Sequence, residues 1–212
     1  MAIAGRKALV RVSGAPVAIS NEATTTDAGR RIFTITNAAY RVWDRNAAVS
    51  VTRSPDGTTF TAVPATEYTV NRLAGTVTFA AAQAAGVQIR VSTSYLPLAT
   101  AAEAKEFSYT FTGNNLDAST LGSAFVLRQQ GQRDITGSLS MWTTADRTFE
   151  DALTADQPVV LEFYNDSGAS ADFRVWALVN SDEISAAVDG LAETAVEWEG
   201  TQDAEGRITS LV

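Results

Sequence analysis

Three features predict a mostly β chain: period-two alternation of apolar and polar residues, turn residues at short intervals, and one isolated helical patch. The expected architecture is an antiparallel β-sandwich or barrel with one flanking α-helix, together with a small all-β inserted or N-terminal subdomain. Its 212 residues, 45% apolar and 19% charged, suffice for a buried core and argue against disorder.

Residues 1–30 read as an N-terminal arm and a first hairpin, anchored by Leu9, Val10, Val12, Val17 and Ile19, with Asn21 to Gly29 as a flexible arm that orders on assembly. Residues 31–98 read as a small β-rich subdomain or an elaborated loop. Val49 and Val51 alternate with Ser50 and Thr52. Ser54, Pro55, Asp56 and Gly57 then supply a turn, because proline presets φ and Asp-Gly tolerates positive φ. Tyr68 and Val70 lead to a turn at Ala74 and Gly75. Val77 with Phe79, and Val87, Ile89 and Val91 after Gly86, give further strands. Leu96 to Ala102 reads as a connector.

Residues 99–212 form the larger sandwich core. Phe107, Tyr109 and Phe111 share one strand face, opposite Ser108, Thr110 and Thr112. Ile135, Gly137, Leu139 and Met141 alternate with Thr136, Ser138, Ser140 and Trp142. Similar stripes run through Val159, Leu161 and Phe163, through Phe173, Val175, Ala177 and Val179, and through Ile184, Ala186 and Val188. Asp189-Gly190 is a hairpin turn before Val196 and Trp198, which oppose Glu197 and Glu199. The helix is expected near 144–154, with Thr143 as its cap, Asp146 as the capping-box partner, and Ala145, Phe149, Ala152 and Leu153 on one face.

The residue inventory restricts the chemistry. The chain has no cysteine and no histidine, which removes disulfides, thiolate metal sites, cysteine nucleophiles, the commonest general base and the Ser-His-Asp triad. Only two lysines occur, Lys7 and Lys105. No glycine-rich phosphate loop and no G-x-S-x-G elbow is present. Asp203 to Gly206 matches the start of a calcium loop but lacks the closing glutamate. Asp182-Glu183 and Glu150-Asp151 are adjacent carboxylates, as expected for solvated faces of an acidic chain. Arg6, Lys7 and Arg11, and the pair Arg30-Arg31, are basic clusters without interleaved aromatics, better suited to pairing with acidic surfaces than to nucleic acid. Trp142 and Trp198 fit core or interface positions. The expectation is a non-enzyme with no catalytic, cofactor-binding or metal-ligating residue and no cofactor.

Charge is unevenly placed. Residues 1–98 carry ten basic and five acidic side chains, a net of +5; residues 99–212 carry six and nineteen, a net of −13. Opposed halves can attract copies of the chain head to tail. No apolar run is long enough to span a bilayer, and no secretory h-region is legible, so a soluble, non-exported chain is expected.

The segment from Asp134 to Trp142, the helix through Leu153 and the strand from Gln157 to Tyr164 resemble the strand–helix–strand unit of the phage major tail protein, or tail tube protein, family. Phe173 to Ser181 resembles the next strand of that family. Ile184 to Gly190 with Leu191 to Gly200 resembles its closing hairpin. The resemblance covers residues 103–212. It implies a siphophage-like virion protein of tail-tube fold, whose sheets join between subunits into closed, commonly hexameric rings. Such rings stack into a tube that encloses a tape-measure protein, meets terminator and tip proteins, and later conducts DNA without sequence-specific binding. The implied location is the virion tail, assembled in the host cytoplasm, with no membrane contact. The alternative is an immunoglobulin-like adhesin or a virion decoration module, suggested by the 31–98 meander; a third is a carboxylate-based hydrolase.

Overall fold

A computed structural model describes residues 9–101, 104–119, 125–143, 147–164, 171–185 and 192–211. The protein is mostly β, its sheets are antiparallel, and the described residues hold one α-helix. The chain forms two compact units. The first comprises Met1–Ala101, Val159–Trp176 and Gln202–Val212, and the second Ala102–Pro158 and Ala177–Thr201. Each unit therefore gathers segments from distant parts of the sequence, which a division into 1–30, 31–98 and 99–212 does not capture.

In the first unit, strands β2 (Val17–Thr26), β3 (Ile32–Ile35), β4 (Ser50–Ser54), β5 (Thr61–Ala62), β6 (Tyr68–Asn71), β7 (Thr76–Phe79) and β8 (Gln88–Tyr95) make a seven-stranded sheet in the order β5-β4-β8-β2-β3-β7-β6. Alternation does the sorting here. Phe33, Ile35, Val51, Val70, Val77, Phe79, Ile89 and Val91 turn inward with Trp43 to form one core cluster. Phe33 and Phe79 meet edge-on at 5.5 Å.

Residues 21–26, expected as a free arm, are instead strand. Glu22 and Ala23 pair with Val91 and Arg90, and Thr24 to Thr26 pair with Ile35 to Phe33. Every side chain of this stretch is exposed or half-buried, so a paired strand here carries the composition of a loop.

Two turns behave as their chemistry demands. Asp56 Oδ1 accepts from the amides of Thr58 and Thr59 and from Ser54 Oγ, while Gly57 takes φ +76°. Those donors hold the Asp56 carboxyl well below the usual carboxylate range. Gly75 takes φ +65°, and a Cβ there would lie 2.5 Å from Arg41 Cα. The alanines between 80 and 85 lie in bends, irregular chain and a turn.

The first unit also contains β1 (Leu9–Ser13), flanked by β9 (Leu98–Thr100) and β12 (Val159–Tyr164). The first residues of β13 (Phe173–Ser185) pair there with β15 (Thr209–Leu211). A second apolar cluster joins Val42, Leu73, Leu96, Val160 and Trp176. All six residues of β12 are buried, so its two faces are both interior.

In the second unit, β10 (Ala104–Asp117), β11 (Arg128–Trp142), β14 (Glu193–Gly200) and the remainder of β13 lie side by side in the order β10-β11-β14-β13. Helix α1 runs Thr148–Thr154 and buries Phe149 and Ala152. It starts later than the sequence suggests. Arg147 holds the N-cap position with no side-chain cap, and Thr143 is occupied elsewhere, its hydroxyl 2.9 Å from that of Thr194. A cross-strand partner has outcompeted the cap. Asp146, the expected capping-box partner, and Asp189-Gly190 lie outside the described residues.

Candidate assembly surface

The β10–β11 hairpin is longer than the sheet that supports it. On β11, Thr136 to Trp142 pair with β14, whereas Arg128 to Asp134 pair with β10 alone. From Thr112 to Asp117 and back through Arg128 to Asp134, the chain is thus a two-stranded ribbon. A ribbon of this kind is marginal in water without further packing.

Its apolar residues are not buried. Phe111 is 59% exposed, Leu116 53%, Phe125 89%, Val126 62% and Leu127 59%. The distal end is nonetheless built. Ala118 N–H donates to Leu127 O at 2.8 Å, Leu127 N–H donates to Ser119 Oγ at 2.8 Å, and Asp117 accepts from Ser119 N–H. Hydrogen bonding fixes the end while leaving its large side chains in water.

Closer to the sheet, register separates two faces. Ile135, Leu139, Val196 and Trp198 are buried on one. Gly137 is required there, because a Cβ would fall 2.3 Å from Trp198 Cζ2 and 2.5 Å from Ser108 O. The opposite face is hydroxyl and carboxylate. Ser108 pairs across Ser138 with Glu197, and Thr110 across Thr136 with Glu199. Ser108 Oγ lies 2.9 Å from Ser138 Oγ, and Asn180 Nδ2 donates to Glu199 Oε1 at 2.6 Å. These residues line a groove of about 380 Å³. Among the described residues one cation answers this face: Lys105 reaches Glu193 at 2.6 Å and stands 4.2 Å over the Trp142 ring.

The two units divide the charge in the same sense as the sequence halves, though less steeply. The first unit holds twelve basic and ten acidic side chains, a net of +2. The second holds four and fourteen, a net of −10, and together they restore −8.

The sequence candidates for chemistry come to rest in structural roles. Asp203 Oδ1 accepts from the amides of Glu205 and Arg207, and Glu205 pairs with Arg72 at 3.0 Å, so the calcium-loop match is a hydrogen-bonded turn. Asp182 and Glu183 point to opposite faces of β13, as neighbours on a strand must. Burial, then the charge of Glu150, pushes the Asp182 carboxyl up. Glu150 pairs with Arg147. Arg31 donates to the carbonyls of Phe79 and Ala80. Arg6 and Lys7 lie outside the described residues. No group of three or more metal-ligating side chains occurs among the described residues.

One cluster escaped the sequence reading. Glu162 is 1% exposed; its Oε1 accepts from Arg174 Nε at 2.7 Å, and its Oε2 accepts from Tyr164 Oη at 2.7 Å. Arg174 Nη1 donates to Leu73 O, and Arg11 Nη1 donates to Tyr164 Oη at 3.0 Å. Burial and the Glu162 carboxylate push the Tyr164 phenol up to about 12, so it remains the donor in that bond. The available signal was a lone acid inside Val159–Tyr164 and a lone base inside Phe173–Val179, each in an otherwise apolar run. No helix among the described residues is long and apolar enough to cross a membrane. No family model matches this chain, and no curated protein matches it by sequence.

Proposed function

We propose that this protein is a structural, self-assembling β-subunit whose second unit joins copies into closed rings, and that those rings stack as a phage-type tail tube. The observation that carries the reading is the β10–β11 ribbon, with five large apolar side chains in water and, among the described residues, no third strand along its distal half. A second copy is the occupant that suits it. A ring places the same ribbon against the same neighbour at every position and removes the open β10 edge.

The charge distribution supports the same reading. A net of −10 on one unit and +2 on the other favours ordered over random association of copies. The carboxylate face bearing Glu197 and Glu199 would suit a lumen through which DNA slides, because it repels phosphate. A tape-measure protein and terminator or tip proteins are the further partners of such a tube, and the virion tail is its place.

Negative-stain imaging of purified full-length protein tests the proposal. Closed rings or tubes are expected, and Phe125→Ser with Leu127→Ser should yield folded monomers. A wild-type chain that stays monomeric at high concentration contradicts it. That outcome would favour a binding or decoration module, for which the separately cored seven-stranded sheet is the natural body.

A further inference from the structure

We infer that the first unit carries a binding pocket for a carboxylate attached to an apolar or aromatic body. A cavity of about 400 Å³ opens beside the Glu162 cluster, walled by Ala38, Val42, Tyr95, Leu98, Tyr164 and Arg11. That volume and that mixture of apolar wall with a few fixed polar groups are those of a small-molecule site.

The charge balance selects the ligand. Glu162 answers Arg174, its partner at 2.7 Å, and Arg174 Nη1 donates to Leu73 O. Arg11 stands 3.6 Å from the same carboxylate, with its side chain 40% exposed. Two guanidinium groups thus share one buried carboxylate, and the pocket is left with one positive charge in excess. Its seat is Arg11 at the mouth, held by Tyr164 Oη and stacked 5.1 Å over the Tyr164 ring. A guanidinium has five N–H donors in a planar fork, and the bond to Tyr164 leaves several for a ligand.

A monoanion neutralises this excess. A dianion such as a phosphate monoester would bring a second negative charge against Glu162, and a cation would meet Arg11. The planar carboxylate matches the guanidinium fork, and Tyr95, Leu98 and Val42 receive the body behind it.

Benzoate serves as the probe, against its neutral isostere benzamide and against inorganic phosphate, by equilibrium dialysis with the full-length chain. Saturable benzoate binding is expected, stronger than benzamide by about fivefold or more, with no comparable phosphate binding. Arg11→Gln should abolish that preference while Arg174 still pairs with Glu162. Ala38→Phe, at a lining residue that takes no part in the ion cluster, should fill the cavity and remove binding of both ring compounds. An apparent benzoate affinity that falls as protein concentration rises identifies the carboxylate as an acidic side chain of a second copy, and an unchanged affinity identifies a free acid. Equal binding of benzoate and benzamide, a preference that survives Arg11→Gln, or binding unaffected by Ala38→Phe would each overturn the assignment.

Discussion

The two units solve the problem of burying polar and apolar groups in opposite ways. In the first, apolar residues collect into defined clusters, and even a glutamate that is 1% exposed has hydrogen-bond donors on both oxygens. In the second, the hairpin carries Phe125 at 89% exposure, and the sheet offers a carboxylate face with one answering lysine among the described residues. The first unit keeps most of its large apolar side chains buried, while the second leaves those of its hairpin in water. The proposed self-assembly would use both, a packed body and a face left for a neighbour.

Perturbing the finished unit should give the largest effect. Glu162→Ala leaves the Arg174 guanidinium buried without its anion and should lower the unfolding free energy by about 3–5 kcal/mol in chemical denaturation. Next comes a steric change in the second unit. Gly137→Ala puts a Cβ into the Trp198 ring and the Ser108 carbonyl, and should cost about 1–3 kcal/mol. The exposed pair of that unit should matter less. Lys105→Ala removes the Glu193 ion pair and the contact with Trp142, at a cost of about 1 kcal/mol or less that shrinks as salt is added. A cost near that of Glu162→Ala would erase the contrast between the units.

The smallest effect is a pH dependence. Asp182 Oδ1 is buried with no hydrogen-bond partner among the described residues, and its carboxyl is pushed above 3.8 in the folded chain. The contribution of a raised carboxyl is fully present below 3.8, where it is protonated in both states, and is lost as pH rises through the folded value. Asp182→Asn should therefore stabilise the protein at pH 7 and make little difference at pH 3. Thermal melts at the two pH values check this, and an equal effect at both would refute the burial argument.

The strands of the second unit were legible because alternation there is nearly unbroken: Phe107 to Phe111, Ile135 to Met141 and Val196 to Glu199 all fall as their patterns require. The helix was legible as an element but not in its start, since nothing local shows that Thr143 will bond Thr194, fifty-one residues away. Residues 21–26 were misread because a strand with little buried surface resembles a loop in composition. The Glu162 cluster is a long-range property. It joins Arg11 to Tyr164 across 153 positions, and only the pairing of β1 with β12 brings them together. The exposed ribbon was hidden for the converse reason, because an apolar stripe in sequence is ordinarily read as core.

Hydrogen exchange resolved by residue, in dilute protein and at concentrations where copies associate, tests most directly whether a second copy completes the ribbon. Amides at Gly113–Asp117 and Arg128–Arg133 should exchange rapidly when dilute and slow by about tenfold or more on association, while those of β4 and β8 hold constant. A ribbon already as protected as β8 in dilute protein, or one whose exchange ignores concentration, would contradict the account.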